Sequence, residues 1–317
     1  MTKLKLTQAW VHRVTSDITD DIVAAGKDKS TLPSDAEVSA ITNNAASTNA
    51  VREMVRRKWF SPVANDDRLA ARGRALQQFL FSGGPSRPQF LAAAFFRRSR
   101  QQSELMNEMA TFAWLCRVTD KATAEKKTLF SAAKFNQRAI THLVRLSKDN
   151  FGPREAIQYL EKHGIRIVIE NSLPGMRVDG ASFVVPSFGP VIGLTLRYDR
   201  LDNFWFTLLH ELAHIVLHLR DDSDDVFVDS IEDGDREESE VEAEANAFAK
   251  DSFVPRDAWL RSDAFRYATE PAILALAEKF EIHPAVIAGR LRFEKKRYQE
   301  FSQLLGTNKV RSVLLTE

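Results

Sequence analysis

The segment from residue 204 to 219, FWFTLLHELAHIVLHL, is apolar almost all the way round, yet it contains polar groups. A helix of this composition has no solvated face, which predicts that it is buried in the protein. His210 and His214 are four residues apart and therefore share one face of that helix. Because a buried polar group costs free energy unless it is paired or bound to a metal, the fold must enclose this helix and satisfy its imidazoles.

The two histidines and Glu211 form the pattern H-E-x-x-H. In this pattern the imidazoles hold one metal ion, and the glutamate lies beside it, placed to act on a bound water. The alternative is that all three are core polar residues satisfied by hydrogen bonds alone. His218 follows four residues later, but the longer three-histidine pattern needs a different spacing and a glycine that this chain lacks. We therefore interpret His218 as a packing residue.

A hydrolytic zinc site uses three protein ligands and leaves one position for water. The best downstream candidate for the third ligand is Glu242, in the helix-forming run 240–249. Asn246 lies four residues on, on the same helical face, where its amide can hydrogen-bond a ligating imidazole. Glu244 is the competing carboxylate, but it points roughly 200° away from Glu242 around the helix. The alternative is that this run is a solvated acidic face.

The motif at 210–214, followed by Glu242-x-x-Ala245-Asn246-x-Phe248-Ala249 and by Val254-Pro255, resembles the ImmA/IrrE metallopeptidases. Residues 280–291 resemble the segment that closes many members, including those fused to HigA-type antitoxins. The resemblance covers about residues 125–300, and residues 1–120 match no motif of the family. It implies a zincin-like protease with Zn2+ as cofactor that cuts a helix-turn-helix transcriptional repressor. Such cleavage would switch on a stress, mobile-element or anti-phage operon.

The roles in such a site can be assigned by chemistry. Zinc held by His210, His214 and Glu242 would polarise the scissile carbonyl, with Glu211 as general base. Two further side chains are candidates for stabilising the developing oxyanion, Tyr198 just upstream of the metal helix and His283 in the C-terminal segment. Each could instead be a structural hydrogen-bonding group.

Cys116 is the single cysteine and lies in the apolar segment 112–118. The simpler interpretation is a small buried hydrophobe. The other is that its thiolate fills the fourth zinc position and keeps the enzyme inactive until an activator displaces the N-terminal domain. One cysteine excludes an internal disulfide, and the chain has no apolar leader and no run of the ~20 apolar residues that cross a membrane. These features predict a cytoplasmic protein with no membrane partner.

Charge is unevenly distributed along the chain. Residues 51–100 hold eleven basic and three acidic residues, whereas residues 220–244 hold thirteen acidic and two basic ones. The basic 52–100 segment is a candidate site for a single-stranded DNA activator, with interleaved aromatic side chains as stacking surfaces. Alternatively, both segments are solvated faces or attract each other, and the aromatics are core. The aromatics are Trp59, Phe60, Phe79, Phe81, Phe95 and Phe96.

Hydrophobic patterning predicts a predominantly helical α+β fold, with a zincin-like protease core and a small antiparallel sheet. Helices are expected at 123–147 and 153–163, followed by strands at 165–170, 181–185 and 191–198. The predicted domains are a helical N-terminal regulatory domain (1–120), a zinc metallopeptidase domain (121–260) and a helix-turn-helix-like C-terminal unit (261–317). A sheet edge just before the metal helix would let a peptide substrate add as a further strand.

Residues 270–291 have the rhythm of two short helices joined by a tight turn. This pattern sustains a rival function, a DNA-binding regulator or antitoxin-like protein with a structural or vestigial metal site. Base readout requires polar side chains on the second helix, whereas residues 285–291 are mostly apolar. We therefore expect this unit to pack against the protease core or a partner.

Overall fold

The computed structural model describes residues 42, 45, 47–61, 68–81, 102–124, 130–131, 135–185, 188–219, 226–229 and 240–315. Its N-terminal helices are α1 (Asn49–Arg56), α2 (Arg68–Phe81) and α3 (Gln102–Thr123). Thr48 starts α1, because its hydroxyl accepts a hydrogen bond from the Val51 N–H. Among the described residues, no helix combines the length and the apolar character needed to cross a bilayer.

The helix expected over 123–147 is shorter than predicted. The observed helix is α4 (Gln137–Arg145), which continues into a 3-10 turn at Leu146–Lys148. Asn136 sets the start of α4, since its side chain accepts a hydrogen bond from the Ala139 N–H. The next helix, α5 (Gly152–Lys162), lies within one residue of its predicted position.

The described strands are β1 (Arg166–Ile169), β2 (Gly180–Val185), β3 (Gly189–Leu194) and β4 (Val226–Asp229), and they form one sheet in the order β1-β3-β2-β4. β2 is antiparallel to both β3 and β4, but β1 runs parallel to β3. The predicted antiparallel sheet is therefore wrong in this respect, and the sheet is mixed. Two parallel strands need a connection that returns the chain to the end where the first strand began. Between β1 and β3 the chain returns through β2, which runs antiparallel to β3.

Helices pack on both faces of this sheet, because successive side chains of a strand point to opposite faces. On one face, Val168, Phe183 and Val191 join a buried cluster with Trp114 and other side chains of α3. On the other face, Ile167, Ile192 and Leu194 join a second cluster that contains the helix α6 (Leu201–Ala213). The sheet thus separates the N-terminal helix α3 from the helix that carries the H-E-x-x-H motif.

The C-terminal part is helical: α7 (Glu240–Phe253), α8 (Arg256–Arg261), α9 (Asp263–Tyr267), α10 (Glu270–Phe280), α11 (Pro284–Glu294) and, after a 3-10 turn at Ser302–Leu304, α12 (Val310–Leu314). The expected pair of short helices is therefore present as α10 and α11. α11 packs closely on α6, since a Cβ at Gly289 would lie 2.6 Å from the Asp202 Cβ. Consequently the C-terminal pair shares one core with the metal helix.

Candidate metal centre

Helix α6 and the turn that follows it carry the H-E-x-x-H residues. α6 ends at Ala213, and His214–His218 form a π-helical turn closed by a hydrogen bond from the Leu219 N–H to the His214 carbonyl. Such π turns occur frequently at functional sites. As the apolar composition predicts, α6 is buried: His210 is 5% exposed, while Glu211 and His214 are 0% exposed. The three polar side chains are thus enclosed with the core.

Helix α7 brings a carboxylate to the two imidazoles. The Nε2 atoms of His210 and His214 are 3.0 Å apart. Glu242 places Oε2 3.3 Å from the His210 Nε2 and Oε1 3.8 Å from the His214 Nε2. Glu242 is itself buried, at 6% exposure, so it is not a solvated surface acid. Among the residues that the structure describes, these three form the group whose ligand atoms lie within 4.8 Å of one another.

The donor set fits a zinc ion. In a tetrahedral site with zinc–ligand distances of roughly 2.0–2.1 Å, neighbouring ligand atoms lie roughly 3.3 Å apart. The observed separations of 3.0, 3.3 and 3.8 Å bracket that value. Two histidines and one glutamate are a donor set of catalytic zinc sites, which leave a fourth position for water. The buried His210/His214/Glu242 group can therefore hold a metal ion.

Each histidine is held in orientation by a second element. The His210 Nδ1 lies 3.1 Å from the Asn246 Oδ1, one turn beyond Glu242 on α7. The His214 ring stacks on Phe227 of β4, with centroids 4.2 Å apart and planes 8° from parallel. The Asn246 Oδ1 accepts a hydrogen bond from Nδ1 of His210, and this tautomer directs the Nε2 lone pair of His210 toward the metal group.

Glu211 lies on the sheet side of the helix rather than on the α7 side. A Cβ built at Gly180, the first residue of β2, would be 2.4 Å from the Glu211 Oε1 and 2.8 Å from the Thr207 Cγ2. Glu211 and the metal group are thus carried by neighbouring positions of one helix, with β2 and β4 against that helix. This arrangement brings a candidate metal site, the Glu211 carboxylate and the outermost described strand β4 to one end of the same helix.

Residues 160–292 match a family model, Peptidase_M78, described as an IrrE N-terminal-like domain. Residues 160–292 are therefore similar to a peptidase domain of the IrrE type. The match confirms the resemblance to the ImmA/IrrE family, and it spans His210, Glu211, His214 and Glu242. A search of curated proteins and a search of solved structures found no match.

The structure places the two oxyanion candidates, Tyr198 and His283, in other contacts. The Tyr198 hydroxyl accepts a hydrogen bond from Arg197 at 3.2 Å, and the Arg197 and Arg200 guanidinium carbons lie 4.7 and 5.4 Å from the centre of its ring. His283 caps α11, accepting a hydrogen bond from the Ala285 N–H at 3.0 Å on its Nδ1. Their catalytic roles therefore remain predictions, and His283 already has a structural one.

Neither Cys116 nor His218 belongs to the His210/His214/Glu242 group. Cys116 is fully buried on α3, within the cluster on the opposite face of the sheet from α6. The thiol and the metal helix therefore lie on opposite faces of the sheet, and the inhibitory role of Cys116 stays a prediction. His218 has its Nε2 3.7 Å from the exposed Glu244 carboxylate, and neither residue belongs to the group of three.

Two contributors to the site were missed from the sequence. Phe227 lies in a four-residue strand inside the acidic region 220–244, where nothing but a Val-Phe-Val alternation indicates a strand. The strand predicted at 181–185 leaves out Gly180, because the Asp179-Gly180 pair is a turn signal. The structure places it within β2 instead, paired with Leu194 on β3 and with Asp229 on β4.

Proposed function

We propose that this protein is a zinc-dependent, site-specific endopeptidase that cleaves a partner helix-turn-helix transcriptional repressor and so derepresses a stress or anti-phage operon. The observation that carries the proposal is the buried His210/His214/Glu242 group with Glu211 on the same helix. The M78 match supports the peptidase class, and the family resemblance supports the repressor as substrate.

Zinc, held by His210, His214 and Glu242, would supply a water of lowered pKa and a polarised scissile carbonyl. Glu211 takes the proton of the attacking water as general base and delivers it to the leaving amine. Asn246 and Phe227 keep the two imidazoles in their ligating orientation throughout.

The sheet supports a peptide rather than a small molecule as substrate. Among the strands that the structure describes, β4 lies at an edge of the sheet, and its Phe227 contacts His214. An edge strand offers backbone N–H and C=O groups to an extended peptide, which would then run past the metal ligands. An endopeptidase has use for such a strand because it binds the chain on both sides of the cut.

Single-stranded DNA is the activator that we propose, acting through the basic 52–100 segment. The exposed side chains of Arg52, Arg56, Lys58 and Arg74 in the described part of this segment support contacts to phosphates. Base stacking on two of the expected aromatics is not part of this proposal, since Trp59 and Phe79 are each 8% exposed and pack on one another. Residues 82–100 lie outside the described residues.

The proposal is tested by incubating the zinc-loaded chain with the repressor encoded beside its gene, with and without single-stranded DNA. Wild type should cut the repressor at one site, and Glu211→Gln should bind zinc equally well but leave the repressor intact. Specific duplex binding with no cleavage under any condition would instead favour the DNA-binding regulator with a structural metal site. Measuring zinc content of both chains by atomic emission excludes metal loss as the cause of inactivity.

A further inference from the structure

The absence of a side chain at residue 180 makes room for the Glu211 carboxylate. A Cβ there would lie 2.4 Å from the Glu211 Oε1, 2.9 Å from its Cγ and 2.8 Å from the Thr207 Cγ2. All three distances are shorter than the sum of van der Waals radii permits, and carbon atoms in contact prefer separations of about 3.5–4.0 Å. Hence no other amino acid fits at position 180 while Glu211 stays where it is.

The backbone itself does not require glycine at this position. Gly180 does not have a positive φ. The described glycines that do are Gly164, Gly175, Gly189 and Gly306. It is paired on both sides within β2, in extended geometry that any residue adopts. Glycine at a paired strand position leaves no side chain to pack, so its use there points to a close approach from a neighbour. That neighbour is Glu211.

We infer that Gly180 is a positioning residue, which fixes the place of the Glu211 carboxylate beside the metal group. The inference rests on the proposed function, in which Glu211 is the general base. The strand cannot easily retreat, because β3 and β4 hold β2 from both edges. The helix cannot retreat either, since the other face of α6 packs on α7 and α11. An added methyl group is therefore accommodated by moving the Glu211 side chain.

The consequence for catalysis is large relative to the size of the change. Displacing a catalytic group by about 1 Å can reduce the rate on the order of 100-fold. Gly180→Ala should therefore lower kcat about 100-fold while KM for the repressor stays within about twofold. Zinc content should be unchanged, because Gly180 contacts none of the three ligands in the distances above.

Gly193 provides a matched control in the same sheet. It lies in β3 opposite Ala181, the residue after Gly180, but its Cβ would point to the opposite face. There it would lie 2.7 Å from the Trp114 Cη2 and 3.1 Å from a Val118 methyl group. Gly193→Ala thus introduces a comparable clash away from Glu211. It should lower the melting temperature yet leave the kcat of the folded protein within about threefold of wild type.

A double-mutant cycle separates positioning from general damage. Glu211→Asp shortens the side chain by one methylene. Its carboxylate oxygen then lies farther from the methyl group that Gly180→Ala adds. In the Glu211→Asp background, Gly180→Ala should therefore change kcat less than tenfold, instead of about 100-fold in wild type. If the two effects simply multiply, or if Gly180→Ala behaves like Gly193→Ala, the inference is wrong.

Two further measurements cover an inactive or unstable variant. If Gly180→Ala folds poorly, it is combined with Thr207→Ser, which removes the methyl group that the new Cβ would meet. The double variant is then compared with Thr207→Ser alone, and kcat should fall by the same factor of about 100. A crystal structure of the Ala variant gives a readout that needs no activity: Glu211 should occupy a different rotamer with His210, His214 and Glu242 in place. If the Ala variant instead shows Glu211 in its original rotamer and a displaced β2, the inference about Gly180 is wrong, even if the protein is a peptidase as proposed. Failure of wild type itself to cleave any repressor would instead count against the proposed function.

Discussion

The Nδ1 atom of His210 and the Oδ1 atom of Asn246 are 3.1 Å apart, so α7 both supplies the ligand Glu242 and orients a ligand of α6. Because the two roles lie one helical turn apart, the geometry of the metal group depends on a single helix-to-helix contact. Losing the amide would free the His210 ring to rotate and to change its tautomer.

Asn246→Ala should weaken zinc binding about 10- to 100-fold, the usual effect of removing such a hydrogen-bond partner. Asn246→Asp keeps an acceptor oxygen and should lose much less. Competition with a chromophoric chelator gives both dissociation constants. Equal affinity of wild type and Asn246→Ala would show that the hydrogen bond does not orient His210.

Phe227 makes the corresponding contact to His214. Phe227→Ala removes a ring that is 3% exposed and stacked on the imidazole, so both stability and metal affinity should fall. We expect a loss of about 3 kcal/mol in the free energy of unfolding and at least a tenfold weaker zinc site. Val228→Ala, next along β4 but in the cluster on the opposite face, should lose stability alone. A zinc affinity that falls equally in both variants would contradict a specific role for the stack.

Glu170 connects the N-terminal helices to the end of β1. Its side chain is 8% exposed and lies 2.7 Å from the Lys121 Nζ and 3.5 Å from the Arg57 Nη1. Glu170→Gln should destabilise the protein by about 2 kcal/mol, less than for a fully buried pair because Lys121 is partly solvated. The more exposed pair Glu161–Arg166 provides the comparison, and Glu161→Gln should cost under about 1 kcal/mol in urea unfolding.

Helical spacing is what allows the sequence to predict the candidate metal group. His210, His214, Glu242 and Asn246 lie at intervals of four on two helices, and α-helical geometry alone brings each pair to one face. Nothing local to Gly180 or Phe227 indicates their roles. Each acts across a strand-to-helix contact, and the register of β2 and β4 against α6 is decided by the whole core.

The sheet could be predicted only in part for the same physical reason. Three strands were found close to their observed positions, because β-branched runs flanked by Gly and Pro are a local signal. The parallel pairing of β1 with β3 is not local, since it depends on which faces the helices α3 and α6 cover. The four-residue strand β4 gains its stability from β2 and was hidden among acidic residues.

His283 should make stability depend on pH. Burial lowers the pKa of its imidazole, and its neutral Nδ1 accepts the hydrogen bond that starts α11. The nearest charged neighbour in the sequence, Glu281, is paired with Arg145 at 2.7 Å. Because the folded-state pKa is below the unfolded value of about 6.5, the unfolded chain takes up the proton first as pH falls. Stability contributed by neutral His283 is therefore complete above about pH 7 and is lost as pH decreases from about 6.5 toward the lowered pKa.

His283→Asn keeps a side-chain acceptor for the helix cap but does not titrate. The free energy of unfolding of this variant should fall less than that of wild type between about pH 7 and pH 5. The same substitution at the exposed His142 on α4, His142→Asn, serves as the control for replacing a histidine by asparagine. Comparing the slopes of the three chains cancels the contributions of the groups that they share. Parallel curves for all three proteins would mean that His283 is not the group that loses stability in acid.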